Sequence, residues 1–138
     1  MKPPYTLHPY APTLAAYQML FQAVGWPVLE PSIMQRAIDG SVYFVHVQVQ
    51  GQTIACGRLV GDGALYNYLQ DVIVHPDYQG MGVGQQIVKT LLSWLNTHTP
   101  NRFIGLIAAE GKAEFYKQFG FLLRDAQSPA MSRRADHT

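Results

Sequence analysis

The chain reads as a mixed α/β fold, with a central mixed β-sheet and helices on both faces. Three observations predict it. Helical spacing near the N-terminus gives way to three extended segments between residues 42 and 74. A long amphipathic helix then follows directly on a strand and its proline stop. Last, the short apolar run Phe103 to Ala108 lies between two helical patterns, as a strand buried on both faces does.

The elements follow in order. Thr13 is placed to cap a first helix through Phe21, since Leu14, Tyr17, Leu20, Phe21 and Val24 recur at helical spacing. Gly25-Trp26-Pro27 ends it. Ser32 is expected to cap a short second helix, Ile33 to Ile38, closed by Asp39-Gly40. Val42 to Gln50 and Thr53 to Val60 flank the turn Gln50-Gly51 and read as an antiparallel hairpin. Ala64 to Val74 forms a third strand, stopped at His75-Pro76-Asp77 because proline cannot continue a central ladder. The long helix spans about Gly82 to Thr97, with Val83, Ile87, Val88, Leu91, Leu92 and Leu95 as its apolar stripe. After the strand Phe103 to Ala108 comes an amphipathic helix, Lys112 to Phe119. Gly120 follows it, where a left-handed C-terminal cap favours glycine. A last strand is expected to start at Phe121 to Leu123.

The length of 138 residues fits one domain, 1–138. Hydrophobic residues at 48% suffice for a core, and charged residues at 14% exclude the disordered class. A formal net charge of +1 gives no reason to expect nucleic acid. The single cysteine, Cys56, rules out an internal disulfide and sits in an apolar run, where a buried, inert thiol is the expected reading. Neither a signal-peptide core nor an apolar run of membrane-spanning length is seen, so the expected setting is cytoplasmic and off the membrane. His8, His46 and His98 show no ligand spacing and His137 lies in a tail expected to be disordered, so no metal is expected.

The chemistry concentrates in Asp71-Val72-Ile73-Val74-His75-Pro76-Asp77-Tyr78-Gln79-Gly80-Met81-Gly82-Val83-Gly84, a strand, a proline stop and a glycine-rich turn opening a helix. Glycines at alternate positions let backbone approach a ligand closely. The first helical N–H groups have no intrahelical partner and carry the positive end of the helix dipole, so backbone alone can hold a pyrophosphate. A P-loop would need Gly-Lys-Ser/Thr, and Gly84 is followed by Gln85. The dinucleotide fingerprint G-x-G-x-x-G is not matched either, because the glycines run G-x-G-x-G. The bland alternative is a tight turn that merely uses glycine; the strand, His-Pro and apolar helix around it favour the ligand site.

The stretch Gln79-Gly80-Met81-Gly82-Val83-Gly84 resembles the acetyl-CoA-binding motif of GNAT acetyltransferases, in which Arg or Gln precedes x-x-Gly-x-Gly/Ala. Phe115-Tyr116-Lys117-Gln118-Phe119-Gly120-Phe121 is similar to the family's helix ending in Gly-Phe. Two separated motifs in the right order are far more specific than either alone. The resemblance implies a sheet in which the strand ending Val72-Ile73-Val74 splays from Phe103 to Ala108. The pantetheine arm of acetyl-CoA would add to the opened edge beside Val72, Ile73 and Val74, with Phe115 nearby. The pyrophosphate would sit on the amides of Gln79, Gly80, Met81, Gly82, Val83 and Gly84, near Gln85.

The resemblance further implies N-acetyl transfer to a primary amine, expected to be a small molecule, directly within a ternary complex. The alternatives are a non-catalytic acyl-CoA sensor and a protein lysine or N-terminal acetyltransferase. Tyr116 matches the family's proton donor to the leaving thiolate. For the general base, Asp71 is one candidate and Tyr68 another, with Gln70 on the same strand. Strict alternation would put Tyr68 and Gln70 on one face and Asp71 on the other. Asp71 as a purely structural carboxylate is an equal reading. Glu30 and Gly25-Trp26-Pro27 lie where family acceptor pockets are built. The sequence departs from the family at Ala108-Ala109-Glu110-Gly111, where many members carry an Asn, and at Met131-Ser132-Arg133-Arg134, which stands where an apolar last strand is expected. A homodimer is expected only from the frequency of two-fold assemblies.

Overall fold

The computed structural model describes residues 4–133. In chain order it holds β1 (Thr6–His8), α1 (Leu14–Ala23), α2 (Pro31–Asp39), β2 (Tyr43–Val49), β3 (Gln52–Gly61), β4 (Tyr66–Val74), a 3₁₀ turn (Pro76–Tyr78), α3 (Val83–His98), β5 (Phe103–Gly105) and α4 (Ala113–Lys117). The chain divides between Ile107 and Ala108 into two compact units. The first carries the sheet and α1 to α3; the second carries α4.

The sheet has the order β1-β2-β3-β4-β5. Its first four strands are antiparallel, and β5 pairs parallel to β4. The expected mixed sheet is therefore present, and α3 is its crossover between parallel strands. Helices cover both faces. On β3, Cys56 is fully buried in a cluster with Tyr17 and Leu20 of α1 and Met34 of α2. Its neighbour Gly57 faces the other way, onto α3. A Cβ built there would lie 2.5 Å from Cγ2 of Ile87 and 3.3 Å from Cδ1 of Leu91. Successive strand residues point to opposite faces, so α1 and α2 lie on one side and α3 on the other.

The helices form for local reasons as well. Oγ1 of Thr13 accepts the N–H of Ala16 at 3.1 Å, the expected cap of α1. On α3, Val83, Ile87, Val88, Leu91 and Leu95 form the buried stripe, and Tyr43 of β2 stacks on Trp94 at 5.0 Å. The second helix starts earlier than expected, at Pro31, where proline's missing N–H costs nothing. Ser32, expected as its cap, instead donates to Oε1 of Glu30.

Three strands also differ. β1 carries no signal in three residues, and it forms because Thr6, Leu7 and His8 find partners in Gln48, Val47 and His46. The run 103–108 is a strand only over Phe103–Gly105; Ile107 is 76% exposed, so it is not buried on both faces. The expected last strand does not form. Leu122 and Leu123 are exposed. Just beyond them, Asp125 Oδ1 accepts the N–H groups of Gln127 and Ser128, a side-chain turn that withdraws those donors from any ladder. Arg133 lies in exposed coil. The tail residues Arg134 and His137 lie outside the described residues. Among those described, no helix is long and apolar enough to cross a membrane.

Candidate functional site

The glycine turn is anchored to the strand before it. His75 donates its N–H to the carbonyl of Ile54 at 2.8 Å, and its Nδ1 accepts the N–H of Asp77 at 3.1 Å. Gln79 reaches back and donates from Nε2 to the carbonyl of Val74 at 2.9 Å. Gly80 and Gly82 then take φ of 80° and 82°, left-handed values that other residues adopt only at a cost. Gly82 is the N-cap of α3, and its carbonyl accepts the N–H of Gln86. The first turn of α3 holds no acidic residue. A helix start with a positive dipole end, a bare backbone and no competing carboxylate suits a diphosphate.

Beside this turn the sheet is open. β4 pairs with β5 through Tyr66↔Phe103, Asn67↔Ile104 and Tyr68↔Gly105 only. From Leu69 to Val74 the same edge of β4 has no strand beside it among the described residues. An extended chain can add there. Tyr68 is 39% exposed at the mouth of the opening, its ring 5.5 Å from that of Phe103.

β4 also changes course within this stretch. Cys56 pairs with Ile73 and Arg58 with Gln70, so Gly57 alone opposes both Asp71 and Val72. This is a β-bulge with one extra residue on β4. Asp71 occupies it at φ 52°. The bulge breaks the alternation expected of this strand. Gln70 pairs with Arg58 and so shares its face, yet Asp71 Oδ2 also meets Arg58, accepting Nε at 2.8 Å. Asp71 is thus not opposite to Gln70, as strict alternation requires. The same Oδ2 accepts the hydroxyl of Tyr17 at 2.5 Å. Burial, with the Asp71 carboxylate adding to it, pushes the Tyr17 phenol well above its usual range. Arg58 extends the network by donating from Nη1 to the carbonyl of Ala37 and to Oγ of Ser41. Cys56 is fully buried, its thiol donating to the Asp71 carbonyl at 3.3 Å. Burial pushes this thiol up too, so it is no nucleophile at neutral pH.

In the second unit, Tyr116 lies on α4, its ring 5.0 Å from that of Phe115 and 6.0 Å from that of Phe121. Burial raises its phenol pKa, which keeps the proton on oxygen at neutral pH. Gly120 follows α4 with φ 91° and donates its N–H to the carbonyl of Lys117.

Residues 39–122 match the model of the acetyltransferase (GNAT) domain. The chain belongs to the GNAT acetyltransferase family. Among curated relatives, it is 30% identical over 114 residues to an uncharacterised ycf52-like N-acetyltransferase of Prochlorococcus marinus, covering 80% of this chain and 63% of that protein. It is 28% identical over 114 residues to the chloroplastic serotonin N-acetyltransferase 2 of Oryza sativa subsp. japonica, covering 80% of this chain and 56% of that one. The chain thus spans less than two thirds of the length of these relatives. In fold, it matches the crystal structure of a Staphylococcus aureus protein of unknown function with a TM-score of 0.87. The two are 21% identical, over 95% of this chain and 99% of that one.

Within this GNAT fold, the structure brings Val72, Ile73 and Val74 to the strand with the open edge, Gln79 to Gly82 to the turn that follows it, and Val83 to Gln85 to the first turn of α3. Two partners of Asp71, Tyr17 and Arg58, carry no motif and escape a sequence reading. Arg58 leaves one trace, a lone charge inside the otherwise apolar strand Thr53 to Val60. Among the described residues no group of three or more His, Cys, Asp or Glu is placed to hold a metal.

Proposed function

We propose that the chain is an N-acetyltransferase that moves the acetyl group of acetyl-CoA to the primary amine of a small molecule, directly, within a ternary complex. The observation that carries the reading is the open β4 edge running into the left-handed glycine turn at the start of α3. That pair of features offers strand-like pairing to the pantetheine arm and backbone amides to the diphosphate. The rice relative's name supports a small amine as acceptor.

In the proposed reaction the neutral amine attacks the thioester carbonyl carbon. A C–N bond forms, the C–S bond breaks, and coenzyme A leaves as thiolate. A backbone N–H of β4 near Ile73 polarises the carbonyl as charge builds on its oxygen. Tyr116 protonates the thiolate, and Phe115 packs beside the cofactor. The amine's surplus proton leaves through Tyr68, which is open to water. Asp71, held by Arg58 and Tyr17, is left out of the proton transfer.

Isothermal titration with acetyl-CoA tests the cofactor half of this reading. Binding in the micromolar range is expected; no heat at high micromolar concentration refutes it.

A further inference from the structure

We propose that Arg58, Asp71 and Tyr17 are positioning residues that set the β4 bulge, and so decide which β4 amides face the acyl group. The inference rests on the reading of β4 as the acyl-CoA edge.

Three non-glycine residues among those described have positive φ: Gln50, Asp71 and Asn101. Only Asp71 lies inside a strand. Aspartate tolerates the left-handed region better than most residues, but it still needs its surroundings to hold it there. Here they hold it at several points. Tyr17 of α1 donates to Oδ2, Arg58 of β3 donates to the same oxygen, and the Cys56 thiol donates to the Asp71 carbonyl. Arg58 is itself fixed on the Ala37 carbonyl near the end of α2. Three elements therefore converge on one bulge residue, and the side chains of Arg58 and Asp71 are only 15% and 13% exposed.

The geometry matters because side chains alternate with a period of two. A one-residue slip turns every following residue to the other face. Without the extra residue at 71–72, Ile73 would leave the core it shares with Tyr17 and Phe44. The N–H groups of residues 72–74 would turn with it. The bulge thus fixes both the core contact of Ile73 and the direction of the amides on the open edge. A carboxylate with both a guanidinium and a phenol on one oxygen serves this task better than accepting a proton from substrate.

The test compares Asp71→Gly with Asp71→Ala. Neither has a carboxylate, but glycine adopts positive φ freely and alanine does not. If Asp71 positions the bulge, Asp71→Ala lowers kcat, and Asp71→Gly recovers about tenfold of that loss. The amide 15N shifts of residues 72–74 should stay near wild type in Asp71→Gly and move in Asp71→Ala. Equal loss of kcat in both, with wild-type shifts, would overturn the proposal in favour of a base. Full activity in Asp71→Ala would overturn it as well. Should either variant fold poorly, Tyr17→Phe provides the second arm. It keeps the Arg58 ion pair, and is expected to speed hydrogen exchange at residues 72–74 and lower kcat roughly threefold or more. Unchanged exchange and kcat would refute the clamp. A wild-type chain without turnover counts against acetyl transfer itself; the amide shifts then decide the clamp alone.

Discussion

Replacing Gly57 with alanine should be costly although the residue is small, lies mid-strand and has ordinary φ. The added Cβ would lie 2.5 Å from Cγ2 of Ile87, 3.3 Å from Cδ1 of Leu91 and 3.5 Å from Cγ2 of Val72. The nearest atom is a branch methyl attached at the Cβ of a fully buried isoleucine, which cannot swing aside as a flexible chain end would. Relief therefore requires α3 to move off the sheet. Overpacking of this kind costs about 1–3 kcal/mol. For a chain of this size that is a fall in Tm of roughly 3–12 °C. Urea unfolding of the wild type, Gly57→Ala, Ile87→Ala and the double variant measures it. Ile87→Ala alone should cost about 2–5 kcal/mol by opening a cavity. In that background Gly57→Ala should cost at least ~1 kcal/mol less than in the wild type, since the clashing methyl is gone. Additivity within ~0.5 kcal/mol would refute the close approach of α3 to β3 as the cause.

Three further outcomes are expected. Gly82→Ala must hold φ 82° with a Cβ, and should weaken acetyl-CoA binding about tenfold by calorimetry. Tyr116→Phe should lower kcat about 10²–10⁴-fold while leaving the dissociation constant of acetyl-CoA unchanged, and unchanged turnover would remove Tyr116 from the acid role. Burial holds the buried His46 below its usual pKa, against the hydrogen bond that its Nδ1 makes with the Tyr10 carbonyl at 2.7 Å. Its unfolded form binds a proton near pH 6.5 and its folded form only at lower pH. Its contribution to stability is therefore complete above about pH 6.5 and is lost as pH falls toward the lowered folded value. The slope from this one group is at most ~1.4 kcal/mol per pH unit. It should be missing from His46→Gln and so appear as the difference between the denaturation series of the wild type and that variant.

Long periodic segments were legible in the sequence; short elements and local irregularities were not. α3 declares itself because five buried residues repeat at helical spacing over sixteen residues. The cap at Thr13 and the glycine turn are equally readable, since each rests on local hydrogen bonding or a local backbone value. β1 lies beyond such reading because three residues gain strand character only from pairing with β2. The lost strand from Phe121 fails for the opposite reason: apolar side chains invited an extended reading, but Leu122 and Leu123 stay exposed and the chain turns at Asp125. The bulge is the most instructive case. Alternation along β4 is the natural expectation, and only an aspartate among Val, Ile and Tyr hints otherwise. Its partners lie 13 and 54 residues away, on β3 and α1, and no local pattern reports them.

Acetyl transfer to an amine can be followed through both of its products at once. Acetyl-CoA and a panel of small primary amines, arylalkylamines among them, are incubated with the protein. Free thiol and N-acetylated amine are then quantified together. Thiol release that depends on an added amine is expected, with one N-acetyl product formed per thiol. Tight binding of acetyl-CoA with no amine-dependent thiol across the panel would contradict it and mark the chain as a binding module.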